Sequence, residues 1–453
     1  MKVHFISIGG SVMHRLAIAL KRKDYEVTGT DDEIFEPGYS NLLREGLLPE
    51  KIGWNPDLIV ADTDAVIAGM HAKDSNPEIE KAGKLNIPMY SFPEYFYRKS
   101  INKTRVVIGG SHGKTTATAM VMHVLKIAQK RFDYLAGAQL DGFEQSVSIT
   151  DAPIIICEGD EYLASAIDKR PKFHFLFPHL AVITGIAWDH INVFPTFDNY
   201  LEQFNIFINE IEPGRLLIYN DTDKMLEQLI TSDRGKDISY QPYAIPDYSN
   251  ENGKTIVHIE EAKGELEIFG NHNLLNLHAA WHVCKYFKID AEAFVHAISN
   301  FTGASKRLEK IAANEATVVY RDFANAPGKV KAAVEALKQQ YPGRRLIAVL
   351  ELHTFSSLND GFMSEYKGAM DKADEAAVFY SKHALELKRM PELPKQAVID
   401  GFAKEKLSVI TDKDELLKWL GDQQYENAIA VFMSSGNYDG LDTKNLAEKI
   451  IAY

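Results

Sequence analysis

Short apolar runs, each followed by a polar or glycine-rich loop and then a helical pattern, recur along the chain. In the first block, residues 3–8 predict a strand, residues 12–23 a helix and residues 26–30 a second strand. A polar segment, residues 98–103, precedes another strand at residues 105–108, and we place the first boundary at that segment. This order of strand, loop and helix is typical of α/β units with parallel sheets.

Two more blocks repeat the same pattern. The second predicts a helix at residues 115–128, strands at 154–157 and 180–184, and a helix at 276–287. Before that last helix, alternating residues around Lys263-Gly264 predict a hairpin, with candidate buried positions at Ile256, Ile259, Leu266 and Ile268. The third block begins near residue 306 and predicts strands at 317–320, 346–350, 376–380 and 428–433 and helices at 329–340 and 443–451.

The length of 453 residues is too great for one ordinary core. The three blocks therefore predict three domains, comprising residues 1–103, 104–305 and 306–453. We expect a cytoplasmic protein, because the chain opens directly into a strand and no apolar stretch is long enough to span a bilayer.

The charge and the cysteines exclude several classes of partner. A net charge of -13 disfavours nucleic acid, whose binding depends on clustered basic residues. Cys157 and Cys284 are far apart and have no neighbours at the spacing of a zinc site, so two reduced thiols are expected.

The sharpest motif lies between the strand at 105–108 and the helix at 115–128, where the loop reads Gly109-Gly110-Ser111-His112-Gly113-Lys114-Thr115-Thr116. Glycines let backbone N–H groups approach a phosphate, a lysine reaches its outer oxygens, and a hydroxyl can bind Mg²⁺. The motif predicts a phosphate-binding loop, although it is shorter than the usual form. A glycine turn with a chance lysine is the alternative.

A second glycine loop occurs at the amino terminus, where Gly9-Gly10-Ser11 is followed by Asp31. The spacing resembles a dinucleotide-binding fingerprint, but His14 occupies the position of the last glycine. Nucleotide binding and a plain turn between strand and helix both remain open.

Polar residues also follow two apolar strands of the second block. Glu158, Asp160 and Glu161 follow the strand at 154–157, and Asp189-His190 follows the strand at 180–184. Carboxylate oxygens suit Mg²⁺ and an imidazole can complete a metal shell, whereas helix caps and a structural histidine are the alternatives.

Three later segments carry weaker signals. Asn273 and Asn276 can match the edge of adenine or simply cap a helix. Arg307 can neutralise a phosphoryl group, and Asp322 can bind a ribose hydroxyl or a metal. Taken singly, each charged residue can also be an ordinary surface charge.

Taken in order, these segments resemble the Mur ligases over essentially the whole chain. The resemblance implies an α/β protein of three domains: a Rossmann-like UDP-sugar domain, a central P-loop ATPase domain and a Rossmann-like C-terminal domain for the amine substrate. It implies a ligase that uses ATP and Mg²⁺ to join the carboxylate of UDP-N-acetylmuramate to the amino group of an amino acid or short peptide. A monomer or weak dimer is expected.

The resemblance also assigns roles by position. It gives ATP contacts to Gly110, Ser111, His112, Gly113, Lys114, Thr115, Thr116, Asn273, Asn276, Arg307 and Asp322. It gives Mg²⁺ contacts to Thr115, Glu158 and His190. It makes Lys114, Glu158, His190 and Arg307 the catalytic set. Substrate contacts are expected at Gly9, Gly10, Ser11, Asp31 and His353.

Finer features point to one group within the family. Residues 204–206 read Phe-Asn-Ile where relatives with a carbamylated lysine would carry that residue, which favours members acting directly on UDP-N-acetylmuramate. Residues 160–162 and 168–173 resemble members that add L-alanyl-γ-D-glutamyl-meso-diaminopimelate in peptidoglycan recycling. Members that add L-alanine are the alternative.

Several positions depart from the family pattern. Asn325 and Ala326 replace two histidines, and Gly185 replaces an asparagine. A nucleotide-binding relative without ligase activity is therefore a further alternative. A folylpolyglutamate-type ligase, which shares the central domain, is another.

Overall fold

The structure, a computed structural model, describes residues 1–70, 72–189, 193–232, 237–251, 254–303 and 308–452. The chain packs into two compact units, one comprising residues 1–186, 198–244 and 279–288 and the other residues 187–197, 245–278 and 289–453. Within the described ranges, no helix combines the length and apolar character needed to cross a membrane. The domain boundaries placed after residues 103 and 305 stay predictions.

The first unit opens with a four-stranded parallel sheet. Its strands are β1 (Lys2–Ile6), β2 (Glu26–Thr30), β3 (Ala65–Ala68) and β4 (Met89–Ser91). Its helices are α1 (Met13–Lys21), α2 (Gly38–Arg44), α3 (Pro77–Lys84) and α4 (Phe92–Ser100). The strand order β2-β1-β3-β4 makes β1 a central strand, which explains why it is buried almost throughout.

A seven-stranded sheet completes the first unit. Its strands are β5 (Thr104–Gly109), β6 (Phe132–Leu135), β7 (Val147–Ser148), β8 (Ile154–Glu158), β9 (Leu180–Ile183), β10 (Arg215–Asn220) and β11 (Ile238–Tyr243). The helices that follow in the chain are α5 (Lys114–Ile127), α6 (Phe197–Asn209) and α7 (Lys224–Ser232). All neighbours are parallel except β6 and β7. The order β11-β10-β9-β5-β8-β6-β7 places β5 between β8 and β9, so the loops after these three strands meet at one edge.

The second unit contains a small antiparallel sheet, β12-β13-β14. The strands are β12 (Tyr248–Glu251), β13 (Lys254–Ile259) and β14 (Ala262–Leu266), and the next helices are α8 (Asn271–Tyr286) and α9 (Ala291–Ile298).

The predicted hairpin exists, but its turn and one buried position were wrong. Ile259 pairs with Ala262, so the turn falls at residues 260–261 rather than at Lys263-Gly264. Val257 is buried instead of Ile256, because residues that are three apart on a strand point to opposite faces and Ile256 cannot share a face with Ile259.

The predicted start of α8 was also wrong. The helix begins at Asn271 rather than at residue 276. Its first turns carry buried asparagines in place of apolar residues, so the hydrophobic period is visible only further along the helix.

A six-stranded sheet forms the rest of the second unit. Its strands are β15 (Glu309–Ala313), β16 (Thr317–Asp322), β17 (Arg345–Glu351), β18 (Glu375–Phe379), β19 (Leu407–Ile410) and β20 (Ala428–Met433). Its helices are α10 (Pro327–Gln340), α11 (Lys382–Leu387), α12 (Lys395–Phe402), α13 (Lys413–Gly421) and α14 (Thr443–Ile451). The order is β15-β16-β20-β17-β18-β19, and only β15 runs antiparallel to its neighbour.

Alternate residues of these strands supply two apolar cores, one on each face of the sheet. On β17, Ala348 and Leu350 belong to one core, whereas Ile347 and Val349 belong to the other. A strand that is covered on both faces is apolar at consecutive positions, and the central strands of this six-stranded sheet show that pattern in the sequence.

One buried carboxylate connects several segments of the first sheet through hydrogen bonds. The side chain of Glu78 on α3 is fully buried, and it accepts hydrogen bonds from the Thr30 hydroxyl at 2.7 Å, from the Asn55 backbone N–H at 2.5 Å and from His4 Nε2 at 3.3 Å. A carboxylate without water is tolerated only when its oxygens have such donors.

Replacing Glu78 with alanine is therefore expected to lower the free energy of unfolding by about 3 kcal/mol, because the buried donors of His4 and Thr30 and the Asn55 backbone N–H lose their acceptor. Urea unfolding followed by circular dichroism measures this change. The control is Glu80→Ala on the same helix, where the side chain is exposed and pairs with Lys84, and we expect a loss of about 0.5 kcal/mol or less. Equal losses in the two variants would contradict the role of Glu78.

Candidate functional site

Three parallel strands of the central sheet end around one loop. The loop from Gly109 to Thr116 connects β5 to α5, and it lies between the ends of β8 and β9. Gly110 adopts φ of +126°, and a Cβ atom there would lie 2.2 Å from the Thr184 hydroxyl oxygen. Only glycine fits at this position, so the backbone is held in a tight turn at the sheet edge.

The turn leads directly into the positive end of a helix. Gly113, with φ of +81°, precedes the first residue of α5, Lys114. The first N–H groups of a helix have no intrahelical acceptor and carry partial positive charge, so they favour an anion. The geometry is that of a phosphate-binding loop.

The hydroxyl of Thr115 is paired with an acid from the neighbouring strand. Its oxygen donates a hydrogen bond to Glu158 Oε1 at 2.8 Å, and the Gly137 backbone N–H donates to Glu158 Oε2 at 2.9 Å. A Cβ atom at Gly137 would lie 2.7 Å from that carboxylate. The structure thus brings together two of the three predicted Mg²⁺ ligands.

A hydroxyl and a carboxylate at this distance fit Mg²⁺, which usually takes one or two protein oxygens and completes its shell with water and phosphate. Among the described residues, no group of three or more His, Cys, Asp or Glu side chains is arranged to hold a metal ion. His190, the third predicted ligand, lies outside the described residues.

Lys114 lies among carboxylates. Its ammonium group donates to the Gly110 carbonyl at 2.5 Å and to Glu161 Oε2 at 2.6 Å. Burial alone would lower the pKa of Lys114, but the negative charges of Glu161, Asp160 and Glu158 outweigh burial and raise it above its ordinary value. The ammonium group is therefore a fixed positive charge at the loop.

The remaining nucleotide positions belong to the second unit. Asn273 and Asn276 are buried on the first turns of α8, and the Asn273 amide donates to the Phe269 carbonyl at 2.9 Å. Asp322 ends β16, where its carboxylate accepts from the backbone N–H groups of Leu308 at 2.7 Å and Ala324 at 2.6 Å. Their roles at adenine and ribose stay predictions, and Arg307 lies outside the described residues.

The amino-terminal glycine loop and Asp31 do meet. The Gly9 backbone N–H donates to Asp31 Oδ2 at 2.7 Å, and Asp31 is fully buried. Ser11 is exposed, and His14 Nδ1 donates to the Gly10 carbonyl at 2.8 Å, so the histidine bonds back to the glycine loop from the first turn of α1. The loop is thus fixed by side chains that come from both ends of the predicted fingerprint.

His353, the predicted substrate contact in the second unit, follows β17. Its Nδ1 lies 3.8 Å from Glu351 Oε1, and burial lowers the pKa of the imidazole more strongly than Glu351 raises it. Glu351 also accepts from the Ser434 hydroxyl and from the Tyr438 backbone N–H, which joins the ends of β17 and β20.

Two contributors to the site escaped the sequence analysis. Tyr200 on α6 is buried, and its hydroxyl lies 2.8 Å from Ser111 Oγ and 3.3 Å from Glu161 Oε1. Gly137 contacts Glu158 from the loop after β6. Neither is near the phosphate loop in sequence, and only the pairing of the strands could have revealed them.

A glycine loop between a parallel strand and a helix, with a lysine and with a hydroxyl beside an acid, defines a P-loop nucleotide-binding protein. Comparison with known families gives three matches: "Mur ligase family, catalytic domain" at residues 2–98, "Mur ligase middle domain" at residues 108–284 and "Mur ligase, glutamate ligase domain" at residues 306–436. The chain belongs to the Mur ligase family. It is an ATP-dependent ligase of the class that forms C–N bonds.

Individual relatives agree with this assignment. A UDP-N-acetylmuramate–L-alanine ligase of Caldicellulosiruptor bescii is 30% identical over 83% of this chain and 83% of its own length. The structure of a UDP-N-acetylmuramate–alanine ligase from Thermotoga maritima matches with a TM-score of 0.69 at 20% identity, covering 99% of this chain and 98% of that one. A murein peptide ligase from Psychrobacter arcticus matches with a TM-score of 0.66 at 20% identity, covering 100% and 98%. The predicted α/β, three-domain Mur ligase architecture is confirmed.

Replacing Lys114 with alanine is expected to slow ATP-dependent phosphate release at least about 100-fold, because the loop loses the charge that faces the phosphates. Steady-state phosphate release with all substrates present measures the effect. Lys172→Ala is the control, since that lysine pairs with Asp160 at 2.6 Å and does not contact the loop. Near-normal release by the Lys114 variant would refute its assignment.

Proposed function

We propose that this ligase joins the carboxylate of UDP-N-acetylmuramate to the amino group of L-alanyl-γ-D-glutamyl-meso-diaminopimelate, a reaction of peptidoglycan recycling. The observation that carries the ligase chemistry is the arrangement of Lys114, Thr115 and Glu158 at the end of β5 and β8. This arrangement fits a triphosphate whose terminal group is transferred to an acid.

In the proposed reaction, a carboxylate oxygen attacks the γ-phosphorus of ATP, the bond to the β-γ bridging oxygen breaks, and ADP leaves. The amine then attacks the acyl carbon, loses a proton and displaces phosphate, so that an amide forms. Lys114 stabilises the charge on the phosphoryl oxygens in the transition state. Arg307 is proposed to help neutralise this charge.

Mg²⁺ is proposed at Thr115 and Glu158, with His190 as a further ligand. When bound, the ion would neutralise phosphate charge and orient the γ-phosphate. The hydroxyl and the carboxylate already lie 2.8 Å apart, so little movement is needed to share a cation.

The UDP-sugar is assigned to the amino-terminal sheet. The loop at Gly9, Gly10 and Ser11 is pinned by Asp31, and Ser11 is exposed to receive a ligand. Residues 204–206 of α6 contain no lysine that could be carbamylated, and the buried Phe204 occupies this segment. Both features support direct use of UDP-N-acetylmuramate.

A cavity in the second unit supports a peptide as the amine substrate. It has a volume of about 300 Å³ and lies beyond the ends of β16 and β20. Its lining includes charges of both signs, with Arg321 and Lys444 positive and Asp442 negative. A peptide that ends in ammonium and carboxylate groups matches such a lining, whereas the methyl group of alanine would leave most of the cavity unfilled.

L-alanine is the second candidate for the amine. The relative of Caldicellulosiruptor bescii at 30% identity carries the name of an L-alanine ligase, and so does a relative of Lactiplantibacillus plantarum at 28% identity over 96% of this chain. The murein peptide ligase structure supports the fold alone.

The two amines are separated by an ADP-release assay with UDP-N-acetylmuramate and either the tripeptide or L-alanine. We expect kcat/KM for the tripeptide to be at least about 100-fold higher, because only the peptide fills the charged cavity. The reverse preference would assign the chain to the L-alanine reaction.

Chelating Mg²⁺ should abolish ADP release with either amine. Release of ADP without the ion would remove Mg²⁺ from the proposal.

The cavity itself is tested in the same assay by Arg321→Ala. The variant should raise KM for the tripeptide about tenfold, through loss of a charged hydrogen-bond donor. Arg345→Ala is the matched control, because Arg345 begins β17 and pairs with Glu375 at 2.7 Å, away from the cavity. An equal effect of both variants would argue against this cavity as the amine site.

A further inference from the structure

The three acids that follow β8 have three different partners. Glu158 accepts from Thr115, Asp160 pairs with Lys172 at 2.6 Å, and Glu161 pairs with Lys114 at 2.6 Å. Of these three acids, Glu161 is the one that accepts a hydrogen bond from the lysine of the phosphate loop, although Asp160 carries the same charge one position earlier.

We infer that Glu161 is a positioning residue, which holds the ammonium group of Lys114 when no nucleotide is bound and competes with the nucleotide for it. The inference rests on the assignment of Lys114 to the phosphates of ATP. It gives the third acid of the segment a function that differs from metal binding.

The pair is largely removed from water. The Lys114 side chain is 13% exposed and that of Glu161 is 1% exposed. Opposite charges attract strongly where the surroundings screen them little, and a buried carboxylate that loses its cation is strongly destabilised. Separating the two groups therefore has an energetic cost that the bound nucleotide must offset.

A third residue links the pair to a side chain of the phosphate loop. The hydroxyl of Tyr200 lies 3.3 Å from the second carboxylate oxygen of Glu161 and 2.8 Å from Ser111 Oγ. Ser111 belongs to the phosphate loop, so the carboxylate contacts the loop both directly and through Tyr200. Rotation of Glu161 away from Lys114 would disturb these contacts as well.

The ammonium group of Lys114 has too few donors to bind the Glu161 carboxylate and several phosphate oxygens at once. One of its donors is already taken by the Gly110 carbonyl and another by Glu161. An ammonium group has three donors in all, so one donor is left for a phosphate oxygen, and a second phosphate contact must share or displace Glu161. Glu161 should accordingly weaken nucleotide binding and assist the release of ADP, by taking the ammonium group back.

Glu161→Gln tests this competition, because glutamine keeps the shape and one acceptor oxygen but removes the charge. Isothermal titration calorimetry with ADP on the intact protein, without UDP-sugar or amine, measures the affinity. We expect the Kd to fall by about five- to tenfold, which is the lower part of the range typical of coupling between two interactions in one protein. In steady state, kcat should fall together with KM for ATP, since product release slows.

The matched control is Asp160→Asn, which makes the same change of charge one residue away, at a carboxylate that pairs with Lys172. Its Kd for ADP should change less than that of Glu161→Gln, because Asp160 is hydrogen-bonded to Lys172 and acts on Lys114 through its charge alone, whereas Glu161 bonds to Lys114 directly. A second variant, Glu161→Asp, keeps the charge but shortens the side chain, so its Kd should lie between those of Glu161→Gln and the unmodified protein. If thermal melting shows that Glu161→Gln does not fold, the Kd of the Glu161→Asp variant for ADP tests the inference instead.

Unchanged or weaker ADP binding in the Glu161 variants would overturn the inference, and so would equal tightening by Asp160→Asn. These results would leave the proposed ligase reaction intact, because the unmodified protein would still bind ADP. Failure of the unmodified protein to bind ADP would overturn the inference and the nucleotide assignment of Lys114 together. The titration contains no amine substrate, so its result does not depend on which amine the ligase uses.

Discussion

The ammonium group of Lys114, held among carboxylates at the end of the central sheet, is the interaction on which the site depends. Burial would favour loss of its proton, but the surrounding acids raise its pKa and keep the charge in place. The strands β5, β8 and β9 end side by side, so the lysine, the Thr115 hydroxyl and Glu158 are positioned by the sheet itself. A fixed charge of this kind favours phosphoryl transfer, because it needs little reorganisation during the reaction.

Much of this arrangement could be predicted from the sequence, because it depends on local patterns. The phosphate loop needs glycines at fixed positions, and Gly110 and Gly113 both adopt positive φ. The buried strands on either side read as apolar runs. Glu158 could be identified for a similar reason, since an acid directly after a buried parallel strand must lie at the edge where ligands bind.

The sequence could not predict what depends on contacts between distant segments. The partner of Glu161 is Lys114 rather than Lys172, and the connection through Tyr200 joins α6 to the phosphate loop. Contacts of this kind are determined by how the elements pack, and the spacing of residues along the sequence does not reveal them. The hairpin turn lies at residues 260–261, and its predicted position was wrong. The alternation of residues along a strand indicates which face each side chain occupies, but it does not indicate where the partner strand begins.

The two units divide the proposed chemistry. The first carries the phosphate loop and the glycine loop assigned to the UDP-sugar, and the second carries the cavity lined by charges of both signs. Membership of the Mur ligase family explains why such different sites occur in one chain. The choice of amine then depends on the second unit, while the activation of the acid depends on Lys114 and its neighbours.

The central claim is that the γ-phosphoryl group of ATP passes to the carboxylate of the sugar nucleotide. UDP-N-acetylmuramate labelled with ¹⁸O in that carboxylate can be turned over with ATP, Mg²⁺ and the amine, and the released phosphate analysed by mass spectrometry. The account predicts phosphate carrying a single ¹⁸O atom, because the acyl phosphate leaves with one carboxylate oxygen. Unlabelled phosphate, formed together with the amide product, would contradict it.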